Sequence, residues 1–322
     1  MLKKYGPLII LLVLVIVMSL ASDVFLTAAN WEGIVKQTAV IAVLTIGELM
    51  VIITGGIDLT VGANLAFSSV AAALLMKAGV PMGLCLVAAL LVGAAVGYLN
   101  GFIVTAMRIP PFIATLGMSQ VLRGFALIIT GGFPVSSLPR EIAWFGNGTI
   151  LKIPVPLIVL AILAVIFHTV LAKTKFGRQV YALGSNAEAT RLAGINVNRK
   201  TRMVYMLSGL IAAVAGILLV GRLTSAQPTA ATGYESNAIA ASVIGGASML
   251  GGIGTVWGAL VGAFIMSVLT NGFTLLQVNN FLQQSAIGMI LILAVFFDIL
   301  QRSSDSPLDK LKRNLFGWKH KK

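Results

Sequence analysis

Residues 173–202 read KTKFGRQVYALGSNAEATRLAGINVNRKTR and divide two long apolar halves of the chain. Seven cations, Lys173, Lys175, Arg178, Arg191, Arg199, Lys200 and Arg202, stand here against one carboxylate, Glu188. On either side charge nearly vanishes. The 322 residues are 58% hydrophobic and only 10% charged, with a mean hydropathy of +0.97, whereas a soluble domain carries roughly a quarter charged residues. Such a chain belongs in a membrane. Its 34 Gly and 10 Pro are scattered through the apolar runs, as suits closely packed and partly interrupted helices, so disorder and collagen are excluded.

The net charge of +13 sits in three places. The first is this central stretch, the second is Lys3 and Lys4, and the third is residues 302–322, with seven Lys or Arg against Asp305 and Asp309. Basic residues gathered in one loop and two flanks mark cytoplasmic segments of a multispanning protein, and no nucleic-acid partner is needed to explain them. If all three are cytoplasmic, each interval between them holds an even number of crossings. At about 20 apolar residues per crossing, candidates lie at 8–21, 34–54, 59–76, 82–107, 112–131 and 155–172, then at 203–222 and 281–300. The stretch 237–272 is too long for one crossing and breaks at Gly251-Gly252. The expectation is an all-α integral membrane protein of ten transmembrane helices, broken or half helices included, with both termini cytoplasmic. Residues 1–302 form one transmembrane domain containing the loop 173–202, and 303–322 form a basic cytoplasmic tail. Leu8 to Ala21 is kept as an anchor rather than a cleaved leader.

Gly55-Gly56-Ile57 followed by Gly62 is echoed by Gly251-Gly252-Ile253 followed by Gly258. Transporters built from repeated halves place broken helices at such points, and chance in a Gly-rich chain explains the match equally well. Both turns are expected on the cytoplasmic side. Gly93, Gly97 and Gly101, like Gly254, Gly258 and Gly262, recur every fourth residue and let helix backbones approach; this is packing rather than chemistry. Charges inside apolar runs are costly, which singles out Glu48, Asp58 and Arg123. Arg123 is expected to pair with Glu48 or Asp58 across a helix interface, and Asp58 is also placed to cap the helix that follows it. Cys85 is the single cysteine and His168 lies far from His320, so no metal site is expected.

Within the central loop, Ser185 and Glu188 have capping-box spacing, and Gly194 is placed to end the helix in a left-handed turn. A helix this short is marginal alone in water and needs a partner surface, either another subunit or the protein's own membrane domain. Spacing does not choose between them.

Three stretches resemble the signatures of the ribose-type sugar permeases of ABC importers: Gly55-Gly56-Ile57-Asp58-Leu59-Thr60-Val61-Gly62, Pro110-Pro111-Phe112-Ile113-Ala114-Thr115-Leu116-Gly117-Met118, and Arg123-Gly124. Gly177 to Asn186, Gly194-Ile195, Gly233-Tyr234-Glu235, Ile244-Gly245-Gly246 and Gly251-Gly252 extend the likeness over roughly residues 5–302. Thr60 stands where the family usually has Ser. The resemblance implies a multispanning subunit of the bacterial inner membrane, paired with a second permease copy or a paralogue. Its other partners are a cytoplasmic ATPase, which holds ATP and Mg, and an extracytoplasmic sugar-binding protein. It implies a coupling helix over Ser185, Asn186, Ala187, Glu188, Ala189, Arg191, Leu192, Gly194 and Ile195. Glu188 and Arg191 would make polar contacts there, and Ala187, Ala189 and Leu192 would pack into the ATPase groove.

No G-x-x-x-x-G-K-[ST] phosphate loop occurs in the chain, so hydrolysis is expected on the partner; this chain is a transport subunit, with no catalytic residue and no cofactor of its own. A neutral, hydroxyl-rich solute calls for amides and hydroxyls along its path. The candidates are Thr54, Asp58, Thr60, Asn64, Asn100, Thr115, Ser119, Gln120 and Asn271, although such groups in membrane helices often bond their own backbone. Arg140 and Glu141 in the loop 132–154, with Gln227 and Glu235 in the loop 222–237, are candidates to meet the binding protein. The alternative is an ion-coupled secondary transporter using Glu48 or Asp58. A channel is disfavoured by the absence of a filter sequence, and a membrane enzyme by the absence of any nucleophile with its base.

Overall fold

A computed structural model describes residues 2–302 of the chain. Each of the ten apolar segments folds into one helix. Before the basic loop come α1 (Leu2–Ala21), α2 (Ala28–Ile53), α3 (Val61–Lys77), α4 (Met82–Ala106) and α5 (Pro111–Thr130). They are followed by a short α6 (Ala143–Asn147) and by α7 (Val155–Lys173). The loop itself folds into two helices, α8 (Lys175–Ser185) and α9 (Ala187–Leu192), and the chain ends in α10 (Val197–Leu223), α11 (Tyr234–Ile244), α12 (Val256–Leu275) and α13 (Asn280–Arg302). Seven of these, α2, α4, α5, α7, α10, α12 and α13, are long and apolar enough to cross a membrane. α3 has 17 residues and α11 only 11, about 26 Å and 17 Å at 1.5 Å per residue, against a hydrocarbon core of about 30 Å. α3 stands at the lower limit of a spanning helix and α11 falls below it. The stretch 237–272 does split in two, at the irregular segment 245–255. The basic tail 303–322 lies outside the described residues.

The centre of the bundle is α2. From Thr38 to Ile53 every residue is buried, against α7, α10, α11 and α12. Such all-round apolarity marks an interior helix, whereas α5 and α13 leave much of their apolar surface exposed. α10 packs most closely on α4 through the predicted glycine ridge. A Cβ at Gly97 would run into the Tyr205 carbonyl, and one at Gly101 would lie 2.7 Å from Arg202 Cα. Gly258 and Gly262 do the same for α11 and α12, against the Gly245 and Ala241 carbonyls. The first fourfold spacing is therefore a helix contact, and so are Gly258 and Gly262 of the second, whereas Gly254 lies in the turn before α12.

The loops sort to two ends of this bundle. At one end Gly252 N–H donates to the Ile53 carbonyl (2.8 Å), so the two echoed Gly-Gly turns touch each other, and α8 lies against both. At the other end Val135 pairs with Ala226 in an isolated β-bridge, beside the hairpin of β1 (Thr149–Ile150) and β2 (Ile153–Pro154). Asn147 ties α6 to the end of α10 by donating to the Gly221 and Arg222 carbonyls, 3.1 Å each.

Candidate functional site

The basic loop begins at Thr174, whose Oγ1 accepts the Gly177 N–H (3.2 Å) and caps α8. Val180 and Leu183 of α8 turn inward. The two helices meet at Asn186, where Oδ1 accepts the Ala189 N–H (2.9 Å) and starts α9. The cap is thus Asn186 rather than the expected Ser185. Ser185 still belongs to the last turn of α8, and its hydroxyl is spent on the Tyr181 carbonyl (2.9 Å). Gly194 does adopt a left-handed φ of +79° just beyond α9.

α9 keeps only Thr190 buried. Ala187, Glu188, Ala189, Arg191 and Leu192 all face outward, and Leu192 is 74% exposed. Arg191 grips Glu188 with two hydrogen bonds, Nη2 to Oε1 at 2.6 Å and Nε to Oε2 at 3.0 Å. This contact holds the Glu188 carboxyl below its usual range and raises the Arg191 guanidinium. The outer face of α9 thus presents one exposed apolar side chain beside a solvent-exposed ion pair, of a kind that adds little to stability.

Behind α9 lies a joint of three glycine-bearing segments. Gly184, near the end of α8, sits so close to the Ile53 carbonyl and Gly252 N that a Cβ would collide with backbone on both sides. Gly55, Gly251 and Gly252 turn with φ of +78°, +86° and +75°, which side-chain-bearing residues rarely adopt. Tyr181 Oη donates to the Gly254 carbonyl (2.7 Å), and burial pushes the Tyr181 hydroxyl above the ordinary tyrosine pKa. The loop therefore bears through α8, backbone against backbone, on the end of α2 and on the turn between α11 and α12.

Deeper in the bundle, the segment 54–60 is held by a buried polar seam, in which Glu48 Oε2, Asn64 Oδ1 and Asn100 Oδ1 have no hydrogen-bond partner among the described residues. Asp58 accepts from Thr60 N (3.0 Å), from Thr60 Oγ1 and from Ser208 Oγ (3.1 Å). Its own N–H donates to Glu48 Oε1 (3.1 Å). Asn100 Nδ2 donates to Thr60 Oγ1 (2.8 Å), Asn64 Nδ2 to the Gly93 carbonyl (3.1 Å) and Tyr205 Oη to the Ile57 carbonyl (3.2 Å), while Thr115 Oγ1, 3.3 Å from the same carbonyl, lies closer to the Pro111 carbonyl of its own helix (2.8 Å). Five of the nine path candidates, Asp58, Thr60, Asn64, Asn100 and Thr115, thus meet with Glu48. All six are shut off from solvent within the chain. Ser208 and Tyr205 escaped the sequence reading, though they are the polar residues of the run Met203 to Leu210 and stand one helical turn apart.

The remaining candidates lie elsewhere. Thr54 Oγ1 bonds the Val51 carbonyl (2.7 Å). Ser119 and Gln120 are on α5, Gln120 on its exposed face. Asn271 exchanges hydrogen bonds with Asn30, at 2.8 and 3.2 Å, and fastens α12 to α2. Asp58 bonds the Thr60 N–H ahead of α3, while Thr60 occupies the cap position itself. The expected pairing of Arg123 with Glu48 or Asp58 does not form. Arg123 Nη1 instead donates to the Pro228 (3.3 Å) and Ala230 carbonyls, which the dipping segment 224–233 would otherwise leave short of donors. Among the described residues the ion pairs are Lys36–Glu32 and Arg191–Glu188. Arg140 and Glu141 are exposed at the loop end of the bundle, and Gln227 is half-buried. Glu235 turns inward, contrary to its expected place at the surface: Oε1 accepts the Gly233 N–H (3.2 Å) at the start of α11, and Oε2 is buried, with a Cβ at Gly62 unable to fit beside it. Among the described residues no group of three or more His, Cys, Asp or Glu is placed to hold a metal ion.

A family model described as the branched-chain amino acid transport system permease component matches residues 30–297. The ribose import permease protein RbsC of Escherichia coli K12 is 45% identical over 301 residues, 92% of this chain and 94% of the relative. The chain belongs to this family of ABC-importer permeases. The RbsC of Bacillus subtilis is 42% identical over 298 residues, covering 92% of each chain, and the D-allose transport system permease protein AlsC of E. coli is 37% identical over 299 residues, again 92% of each. No solved structure matches the chain. The permease is a multi-pass protein of the bacterial cytoplasmic membrane and a transport subunit rather than an enzyme.

Proposed function

We propose that this permease carries a ribose-like pentose, a hexose or a related derivative into the cytoplasm by alternating access, driven by a separate ATPase. The observation that carries the proposal is the likeness to ribose permeases at 45% and 42% identity over nine-tenths of the chain. The family description names branched-chain amino acids, but the relatives named above are permeases for ribose and allose. In this reading the chain crosses the membrane ten times with both termini in the cytoplasm, pairs with a second permease, and receives sugar from a binding protein at Arg140, Glu141 and Gln227. ATP and Mg are held by the ATPase.

In this reading α9 is the lever. The outer face of α9, Glu188, Arg191 and Leu192, seats on the ATPase. Displacement of α9 is passed along α8 to Gly184, and from there to the end of α2 and the turn between α11 and α12. Because the joint is backbone against backbone, it transmits force with little slack. The ion-coupled alternative draws no support from Asp58, whose carboxylate already accepts from Thr60 and Ser208, and the relatives are import permeases of the ABC type. The test is uptake of labelled ribose by cells lacking their own ribose permease and carrying this chain with its ATPase and binding protein. Accumulation competed by pentoses and hexoses, and untouched by leucine or valine, is expected; competition by the amino acids alone would overturn the sugar assignment.

A further inference from the structure

At the start of α10, beside α9, the surface opens into a cavity of about 580 Å³ lined by Tyr98, Asn196, Arg199, Arg202, Met203 and Met206. Its charged lining is two arginines, with no carboxylate. Arg202 is held in place: Nε donates to Thr105 Oγ1 (2.7 Å) and the guanidinium lies 5.1 Å from the Phe102 ring centroid. Among the described residues its Nη atoms and the exposed Arg199 side chain have no hydrogen-bond partner. Two cations thus flank a hollow whose floor is made by half-buried methionines.

A second feature leads into the same place. Leu84, Val87, Leu91, Tyr98 and Phe102 of α4 are all exposed and follow the helical three-and-four spacing, so they form one apolar stripe ending beside Arg202. From Leu91 to Phe102 it runs about 16 Å at 1.5 Å per residue, close to half of the roughly 30 Å hydrocarbon core. We infer that this cavity binds the headgroup of an anionic phospholipid, with Arg199 and Arg202 on the phosphate and an acyl chain along the α4 stripe. Free phosphate has no use for the apolar floor and stripe. The ATPase is offered a separate surface, the outer face of α9.

The test is native mass spectrometry of the delipidated permease titrated with phosphatidylglycerol or with zwitterionic phosphatidylcholine. Wild type is expected to retain phosphatidylglycerol selectively, and Arg199→Gln/Arg202→Gln to retain it about thirtyfold less, the summed attraction of two cations for an anionic membrane surface. Arg199→Gln alone, which touches no internal hydrogen bond of that side chain, should give a partial loss and guards against a folding defect in the double variant. Equal retention by wild type and double variant, or equal retention of the two lipids, would overturn the site. Displacement by inorganic phosphate would mark it as a free-anion site, and stripping of the lipid on adding the ATPase would mark it as a subunit surface; either also overturns it.

Discussion

Replacing Gly184 by alanine tests the proposed lever at its narrowest point. The new Cβ would collide with the Ile53 carbonyl and lie 2.6 Å from Gly252 N. Both are backbone atoms, so no side chain can swing aside, and α8 must move off the joint. Overpacking of this kind costs about 1–3 kcal/mol, and separating Ile53 from Gly252 forfeits their hydrogen bond, worth about 1 kcal/mol. Alanine in place of a helical glycine returns about 1 kcal/mol. The net loss, about 1–3 kcal/mol, leaves the protein folded with its force path displaced. Gly33→Ala in α2, where a Cβ meets nothing within 4 Å, is the matched control. Expected is a strong fall in ATP-driven sugar uptake by Gly184→Ala at near-normal membrane abundance and ATPase association, with Gly33→Ala unaffected. Wild-type uptake by Gly184→Ala would refute the reasoning, as would a fall merely proportional to lost protein.

Removing the acceptor at the centre of the polar seam, Asp58→Ala, strands Thr60 N–H and the Ser208 hydroxyl and should cost about 2–4 kcal/mol, against about 1 kcal/mol for Ser208→Ala; thermal unfolding of the purified permease reads both, and a double variant matching their sum would show that the two do not interact. Gly97→Ala, which drives a Cβ into the Tyr205 carbonyl, should destabilise the contact of α4 with α10 by about 1–3 kcal/mol, and an unchanged melting midpoint would contradict the packing described. In α9, the paired reversal Glu188→Arg/Arg191→Glu restores the internal ion pair while inverting the face shown to the ATPase. Co-purification of the ATPase should therefore stay low; full recovery would mean that the pair serves only the helix. The Glu188 carboxyl sits below its ordinary value because Arg191 favours its charged form, so the pair persists as pH falls through the usual glutamate pKa of about 4.3 and is lost only below it. The chemical shift of the Glu188 side chain checks this, and titration at the ordinary value would count against it.

The helical skeleton was legible because hydrophobic burial in lipid demands long apolar runs, and each of the ten runs became a helix. The splitting of 237–272 followed from its glycines, which do turn with positive φ at Gly251 and Gly252. α8 escaped notice because its buried residues, Val180 and Leu183, are few and lie among Lys175, Arg178 and Gln179. The cap of α9 was misplaced by one residue since Ser185 and Asn186 both offer an acceptor, and only the course of α8 decides which is spent on Tyr181. Partners far apart in sequence were not readable. Arg123 meets the Pro228 and Ala230 carbonyls, and Asn271 meets Asn30, 241 residues away. Charge in an apolar run marks Asp58 and Glu48 in the sequence, and polarity alone marks Thr60, Asn64, Asn100 and Thr115; that they share one seam with Ser208 and Tyr205 is a product of helix packing.

Reconstitution separates a driven gate from a self-powered carrier most directly. The purified permease in sealed vesicles, supplied with binding protein and labelled ribose, should concentrate no sugar under a proton or sodium gradient, and should do so once the ATPase and ATP are added on the α9 side. Uphill accumulation on an ion gradient with the ATPase absent would contradict the account.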